Sequence, residues 1–142
     1  MQVEIINQVG VLPTRGSINS AGYDLISPYD VIIAANNRQL IPLGIKIKLQ
    51  TDTFGKIEMR SGLASKHGLI IMAGVVDSDY RGELKVAIYN SSNLDYYVKS
   101  GDRIAQLIIH KISTDDLILV DKLTDDNTPN TRGDNGFGST GK

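Results

Sequence analysis

Apolar residues recur along this chain at every second position, in short runs divided by turn residues. Ile45, Ile47 and Leu49 alternate with Lys46 and Lys48, and Leu84, Val86 and Ile88 alternate with Glu83, Lys85 and Ala87. A period of two marks a strand with one wet face. Val3 to Ile6 predicts an opening strand, Val31 to Ala34 a short one, and Leu40 to Leu49 a longer one that Pro42 and Gly44 constrain. Phe54, Ile57 and Met59 keep the rhythm, and Tyr96 to Val98 and Arg103 to Ile112 predict two further strands beyond a turn at Asn90 to Asn93. Gly74 to Asn90, GVVDSDYRGELKVAIYN, predicts a β-hairpin whose bend crowds Asp77 and Asp79 beside Tyr80 and Arg81.

A helix fits one place, RSGLASKHG, with Ser61 to cap it and Gly68 to end it. About two turns are too few to stand alone, so that helix must lean on a sheet. Pro13 to Ser20 is polar and turn-prone, and no repeat of fixed period occurs. Many short strands between Gly, Asn, Asp and Ser turns predict an all-β sandwich or barrel, with a jelly-roll-like form preferred. Residues 1–120 form the expected core domain. From Asp121 to Lys142 only Leu123 and Phe137 are large and apolar, so this C-terminal arm can order only over something else.

The chain has 142 residues, about one domain, and 15 basic against 16 acidic residues leave a net charge of -1. No global field exists to hold nucleic acid or an anionic membrane, and a polyanionic partner must be small and met by placed groups. The absence of Cys removes disulfides, thiolate nucleophiles and Cys-based zinc sites, and fits an intracellular, cytoplasmic or nuclear protein. His67 and His110, without matching carboxylates, make a poor transition-metal site, so the expected metal is Mg²⁺ brought in by a phosphate. The N-terminus lacks a signal-peptide pattern, and the apolar run Leu69 to Val76 is too short to span a bilayer, which predicts a soluble chain. The Asn90-Ser91-Ser92 sequon is then a chance match.

Gly136 to Lys142 spells GxxxxGK, yet a phosphate-binding P-loop needs a helix after it and Ser or Thr after the Lys. That class is excluded, while the local chemistry survives. Glycines free backbone N–H groups, Ser139 and Thr140 add hydroxyls, Arg132 adds a bidentate cation, and Phe137 offers a ring for a base to stack on. Arg132-Gly133-Asp134 also matches an integrin-binding triplet, but three residues recur by chance. Ser61 and Gly62 at a helix start point N–H groups at an anion, or are an ordinary cap. For Asp24, Asp77, Asp79 and Asp102 taken singly, a turn role is the alternative. Together they describe a site for a metal-chelated polyphosphate carrying a base.

Five separated motifs, in order and across nearly the whole chain, resemble those of the trimeric dUTPases: AGYDL at Ala21 to Leu25, RSGLASKHG at Arg60 to Gly68, GVVDSDYRGE at Gly74 to Glu83, GDRIAQLI at Gly101 to Ile108 and RGDNGFGSTG at Arg132 to Gly141. The resemblance implies a jelly-roll-like subunit and a homotrimer with active sites between chains, each closed by a C-terminal arm. It implies hydrolysis of dUTP to dUMP and pyrophosphate by Mg²⁺-assisted attack of water on the α-phosphorus, which limits uracil in DNA. Asp77 would orient and deprotonate that water, and Tyr80 would pack beneath the sugar against a 2′-hydroxyl. Backbone groups around Gly74, Val75 and Val76 and near Lys85 would read uracil. Arg60, Ser61, Gly62 and Gln106 would serve the phosphate chain. Asp24, paired with Arg60, would meet Mg²⁺ through water. Arg132, Ser139 and Thr140 would bind the γ-phosphate, Gly138 would join them in holding the substrate, and Phe137 would cover uracil.

Met59 stands where that family usually has Pro, and Asn135 where a Gly is common; the first loosens a fixed backbone angle and the second tolerates positive φ. Two alternatives remain at this point. A dCTP deaminase of the same superfamily resembles the chain less well around Tyr80 and Phe137, and a nucleotide-gated regulatory binding protein would not need Asp77 and Arg132 intact.

Overall fold

A computed structural model describes residues 1–123 of the chain. It contains β1 (Gln2–Ile5), β2 (Gly22–Ile26), β3 (Val31–Ile33), β4 (Arg38–Pro42), β5 (Ile45–Lys48), β6 (Thr53–Glu58), α1 (Ser61–His67), β7 (Leu69–Ala73), β8 (Val75–Val76), β9 (Lys85–Asn90), β10 (Tyr96–Val98) and β11 (Arg103–Lys111). The strands pair as a four-stranded sheet β2-β11-β6-β8, a three-stranded sheet β4-β9-β7, and the two-stranded pairs β1-β5 and β3-β10. This is the all-β, jelly-roll-like architecture with one short helix. Every second residue turns inward: Ile45 and Ile47 on β5, Val86 and Ile88 on β9, and Ala105 and Leu107 on β11 meet in one buried cluster with Leu25, Ile33, Ile41 and Leu69.

The alternation located strands well and their partners less well. The run predicted from Leu40 to Leu49 is two strands, because Gly44 adopts a left-handed φ of 68° that turns the chain between sheets. Beside it, the Leu43 N–H donates to the Leu84 carbonyl at 3.0 Å. Gly74 to Asn90 is not a single hairpin. Its first arm, β8, pairs with β6, whereas β9 lies between β4 and β7, so Asp77 to Leu84 crosses from one sheet to another. Alternation marks a strand's buried face but not the neighbour that accepts its hydrogen bonds, which is why the hairpin reading failed. Gly22 to Leu25 of AGYDL belong to β2.

Ser61 is the first residue of α1 and not its cap: Arg60 occupies that position with extended backbone, and its carbonyl accepts from Leu63 and Ala64. Gly68 ends the helix as expected, with φ 66° and its N–H returned to carbonyls of the last turn. No residue of α1 is buried, so its placement depends on the strands at its two ends.

Asn90 is fully buried, and its side-chain amide donates to the carbonyls of Ile33 at 2.9 Å and Leu94 at 2.8 Å while its oxygen accepts from Ser92. It ties β9 to β3 and the turn before β10, and such a side chain cannot accept a glycan. Asn90→Ala strands the Ile33 carbonyl without a donor and is expected to cost about 1–3 kcal/mol of stability. A shift of the denaturant unfolding midpoint measures it.

Candidate active site

The register of β11 sets the first part of the site. Gln106 stands opposite Asp24 on β2 and opposite Glu58 near the end of β6, just before the chain passes through Met59 into Arg60, Ser61 and Gly62. These elements enclose a cleft of about 480 Å³ whose lining includes Asp24, Arg60, Ser61, Gly62, Gln106, Lys66 and Arg103. Asp24 holds two cations at once: Oδ1 lies 3.2 Å from Arg60 Nε and Oδ2 3.3 Å from Arg103 Nη1. Arg60 Nη1 also donates to the Arg103 carbonyl at 3.2 Å. Two guanidinium groups against one carboxylate leave a surplus of positive charge, with Lys66 nearby on the same cleft, and that surplus suits a polyanion.

Gln106 Nε2 donates to the Met59 carbonyl at 3.2 Å, so the residue that replaces the expected Pro contributes its backbone oxygen to fixing the site. Gly22 makes room for this side chain. A Cβ at position 22 would fall 2.7 Å from Gln106 Oε1 and 3.0 Å from Gln106 Cβ.

A second, smaller cavity of about 170 Å³ lies where β8 leaves for β9, lined by Val75, Val76, Asp77, Tyr80 and Lys85 together with Ile57, Ala73, Glu83 and Leu84. Gly74 lies in sequence between the lining residues Ala73 and Val75, and its carbonyl accepts the Ile57 N–H at 2.7 Å. Asp77 is exposed. Its backbone carbonyl accepts from Tyr80 N at 3.2 Å, so a tight turn presents the acid. Asp102, by contrast, spends its carboxylate on the Lys99 N–H at 2.8 Å in the turn before β11, the structural alternative. Among the described residues none lines both cavities.

The predicted site residues therefore fall into two groups. Asp24, Arg60, Ser61, Gly62 and Gln106 come together in the larger cleft, and Val75, Val76, Asp77, Tyr80 and Lys85 in the smaller cavity. Arg132, Phe137, Gly138, Ser139 and Thr140 lie outside the described residues. Sequence reasoning passed over Arg103, Lys66 and Gly22. Strict alternation puts positions 103 and 106 on opposite faces, but a bulge between Arg103 and Ala105 inserts one residue and returns both side chains to the cleft. Ile104 and Ala105, buried in succession, are its trace.

Helix α1 is steadied at its far end, where the rings of His67 and Tyr96 lie 4.8 Å apart. Burial, with a smaller contribution from Asp102, raises the Tyr96 phenol above its usual value against the opposing effect of Arg60. The ring therefore stays neutral at physiological pH.

Among the described residues no group of three or more His, Asp or Glu side chains could enclose a metal. A single carboxylate facing an anion cleft fits Mg²⁺ carried by phosphate and met through water, the ion's usual preference.

The family model for dUTPase matches residues 9–141. The chain belongs to the dUTPase family. The deoxyuridine 5′-triphosphate nucleotidohydrolase of Paramecium bursaria Chlorella virus 1 is 50% identical over 129 residues, covering 91% of this chain and 89% of its own. That of Arabidopsis thaliana is 49% identical over 140 residues, covering 99% and 82%. Among solved structures, a dUTPase of Staphylococcus bacteriophage 80alpha with dUpNHpp superimposes with a TM-score of 0.90 at 26% identity, covering 99% of this chain and 98% of that one. A dUTPase from phage phi11 of S. aureus, described with a structural Mg(II) ion, matches with a TM-score of 0.82 at 25% identity, covering 87% and 98%.

In this dUTPase site Gly22→Ala forces the Gln106 side chain from its bond to the Met59 carbonyl. The crowding is expected to cost about 1–3 kcal/mol, read from equilibrium unfolding, while Gln106→Ala in the same background restores part of the loss.

Proposed function

We propose that this chain hydrolyses dUTP to dUMP and pyrophosphate, with Asp77 as the base. Its family supports the reaction. The observation that carries the assignment of roles is the partition of the motif residues between a cationic cleft and a small cavity edged by an exposed carboxylate. The triphosphate would run along the cleft, where Ser61 and Gly62 offer N–H groups at the start of α1, Gln106 offers an amide, and Arg60 and Arg103 offer charge. The uracil and deoxyribose would enter a cavity of the second kind, with backbone groups of Gly74 to Val76 and of Lys85 facing the base and Tyr80 beneath the sugar. Arg132, Gly138, Ser139 and Thr140 would close on the γ-phosphate, with Phe137 over uracil, as the arm of residues 121–142 completes the site beyond the core domain of residues 1–120.

The Asp77 carboxylate would orient a water and take its proton as the water oxygen bonds to the α-phosphorus. The bond from that phosphorus to the bridging oxygen breaks, and pyrophosphate leaves with the electron pair. Asp24 would hold the hydrated Mg²⁺ of the triphosphate, which neutralises charge along the phosphate chain. Its two guanidinium partners hold the carboxylate at the cleft.

As the family resemblance implies, one nucleotide would span a cleft from one chain and a cavity from another. A homotrimer supplies that arrangement. The exposed apolar surface supports association: Leu40, Ile70 and Met72 lie on the sheet β4-β9-β7 with about half their surface in solvent, and Leu117 and Leu119 are almost wholly exposed beyond β11. A monomer rarely leaves patches of that kind uncovered. No helix among the described residues is long and apolar enough to cross a membrane.

Pyrophosphate release from dUTP with Mg²⁺, well above that from dCTP or dTTP, is the expected result. No release, equal release from all three, or ammonia from dCTP rejects the reading. Asp77→Asn is expected to lower kcat by about 10²- to 10⁴-fold and to leave dUTP binding measurable by calorimetry. Sedimentation equilibrium should give three times the chain mass of 15.5 kDa.

A further inference from the structure

We infer that Gly82 is a specificity-determining positioning residue: its bare Cα and the Glu83 carbonyl form the seat that holds the Tyr80 ring where it can exclude a 2′-hydroxyl. This inference rests on the reading of Tyr80 as the group beneath the sugar.

Tyr80 is about half exposed, at 44%, and a phenol with so much free surface would ordinarily sample several rotamers. Here both ends are held. The hydroxyl donates to the Glu83 carbonyl at 3.1 Å, three residues along the same loop. The ring lies directly on Gly82. A Cβ built there would strike the hydroxyl and Cζ and come within 2.9 Å of Cε2.

The reason for glycine at this position is therefore steric and not conformational. Gly44, Gly68 and Gly101 have positive φ and Gly82 does not, so an L-residue could take its backbone angles without strain. Only the ring objects.

The seat itself is tied down on both sides. Glu83 Oε1 accepts the Gly44 N–H at 2.9 Å, and the Leu84 N–H donates to the Ile45 carbonyl at 2.8 Å, which ties the floor of the loop to the corner between β4 and β5. On the other side Arg81 Nη1 clasps the carbonyls of Ser78 and Tyr80, each at 2.8 Å. With floor and clasp both anchored, a methyl group at position 82 leaves the far end of the Tyr80 side chain as the part that moves. A displaced ring opens the space that a ribose hydroxyl needs, while Asp77 at the start of the turn keeps its backbone placement. Discrimination is thus expected to suffer more than turnover.

The test is the ratio of kcat/KM for dUTP to kcat/KM for UTP in the unaltered protein, Gly82→Ala, Tyr80→Ala and the double variant, with melting temperature as the check on folding. Gly82→Ala is expected to lower the ratio by about 10- to 200-fold, the range that one methylene changes in a fitted pocket. In the Tyr80→Ala background the same substitution should change it no further, because Gly82 acts only through the ring. An unchanged ratio in Gly82→Ala, or a further fall in the double variant, overturns the inference. An unchanged ratio in Tyr80→Ala, or no preference for dUTP in the unaltered protein, instead overturns the reading beneath it. Should Gly82→Ala fail to fold, Tyr80→Phe takes its place: it releases the ring from the Glu83 carbonyl, and an unchanged ratio again overturns the inference.

Discussion

The pairing of β11 with β2 on one side and β6 on the other is the constraint on which the cleft depends. Because Gln106 faces Asp24 across one ladder and Glu58 across the other, a single register brings together an amide, a carboxylate and the entry to α1. A slip of one residue would turn Leu107 outward and drive Gln106 into the core, so burial of the apolar face protects the placement of the polar one. The bulge at the start of β11 is the local exception that adds Arg103 to the same face. Core and site are two faces of the same strand, and the hydrophobic energy that fixes the register also fixes the chemistry.

Within that frame the electrostatics are organised around one acid. The Asp24 side chain is 16% exposed and shared between two guanidinium groups, one carried by the residue before α1 and one by β11. Leaving either cation alone beside the cleft would make it flexible; tying both to one carboxylate holds them at a common distance while their combined charge still exceeds that of the acid. The arrangement leaves net positive charge facing the cleft. Helix α1 contributes little packing of its own, and its position follows from Arg60 at one end and from Gly68 and the His67–Tyr96 contact at the other.

The smaller cavity follows a different logic. It sits on a crossing between sheets, where Asp77 to Leu84 have no ladder to hold them, so side chains and carbonyls of the loop hold one another. Arg81 closes the turn, Glu83 reaches back to Gly44, and Tyr80 lies on Gly82. Loops carry function when a scaffold pins their ends, and here the pin is the corner at Gly44. The apolar residues left on the sheet β4-β9-β7 are a surface that association with another copy would bury.

Much was legible in the amino-acid order alone. Period-two alternation identified β5 and β9, Gly68 marked the end of the helix found among the described residues, and five motifs in order pointed to the family and the reaction. These are local signals: each depends on which side chain follows which, and a strand's two faces or a helix's last turn can be read from neighbours in the chain. Partners across space could not be read that way. The supposed hairpin at 74–90 divided between two sheets, Ser61 yielded the cap to Arg60, and Arg103 joined Gln106 only through a bulge, because hydrogen-bond partners and register are chosen by the whole set of apolar faces burying themselves at once. Composition and motif thus told what chemistry the chain carries, whereas tertiary packing decided which residues meet, since only packing sets the distances at which charge and hydrogen bonds act.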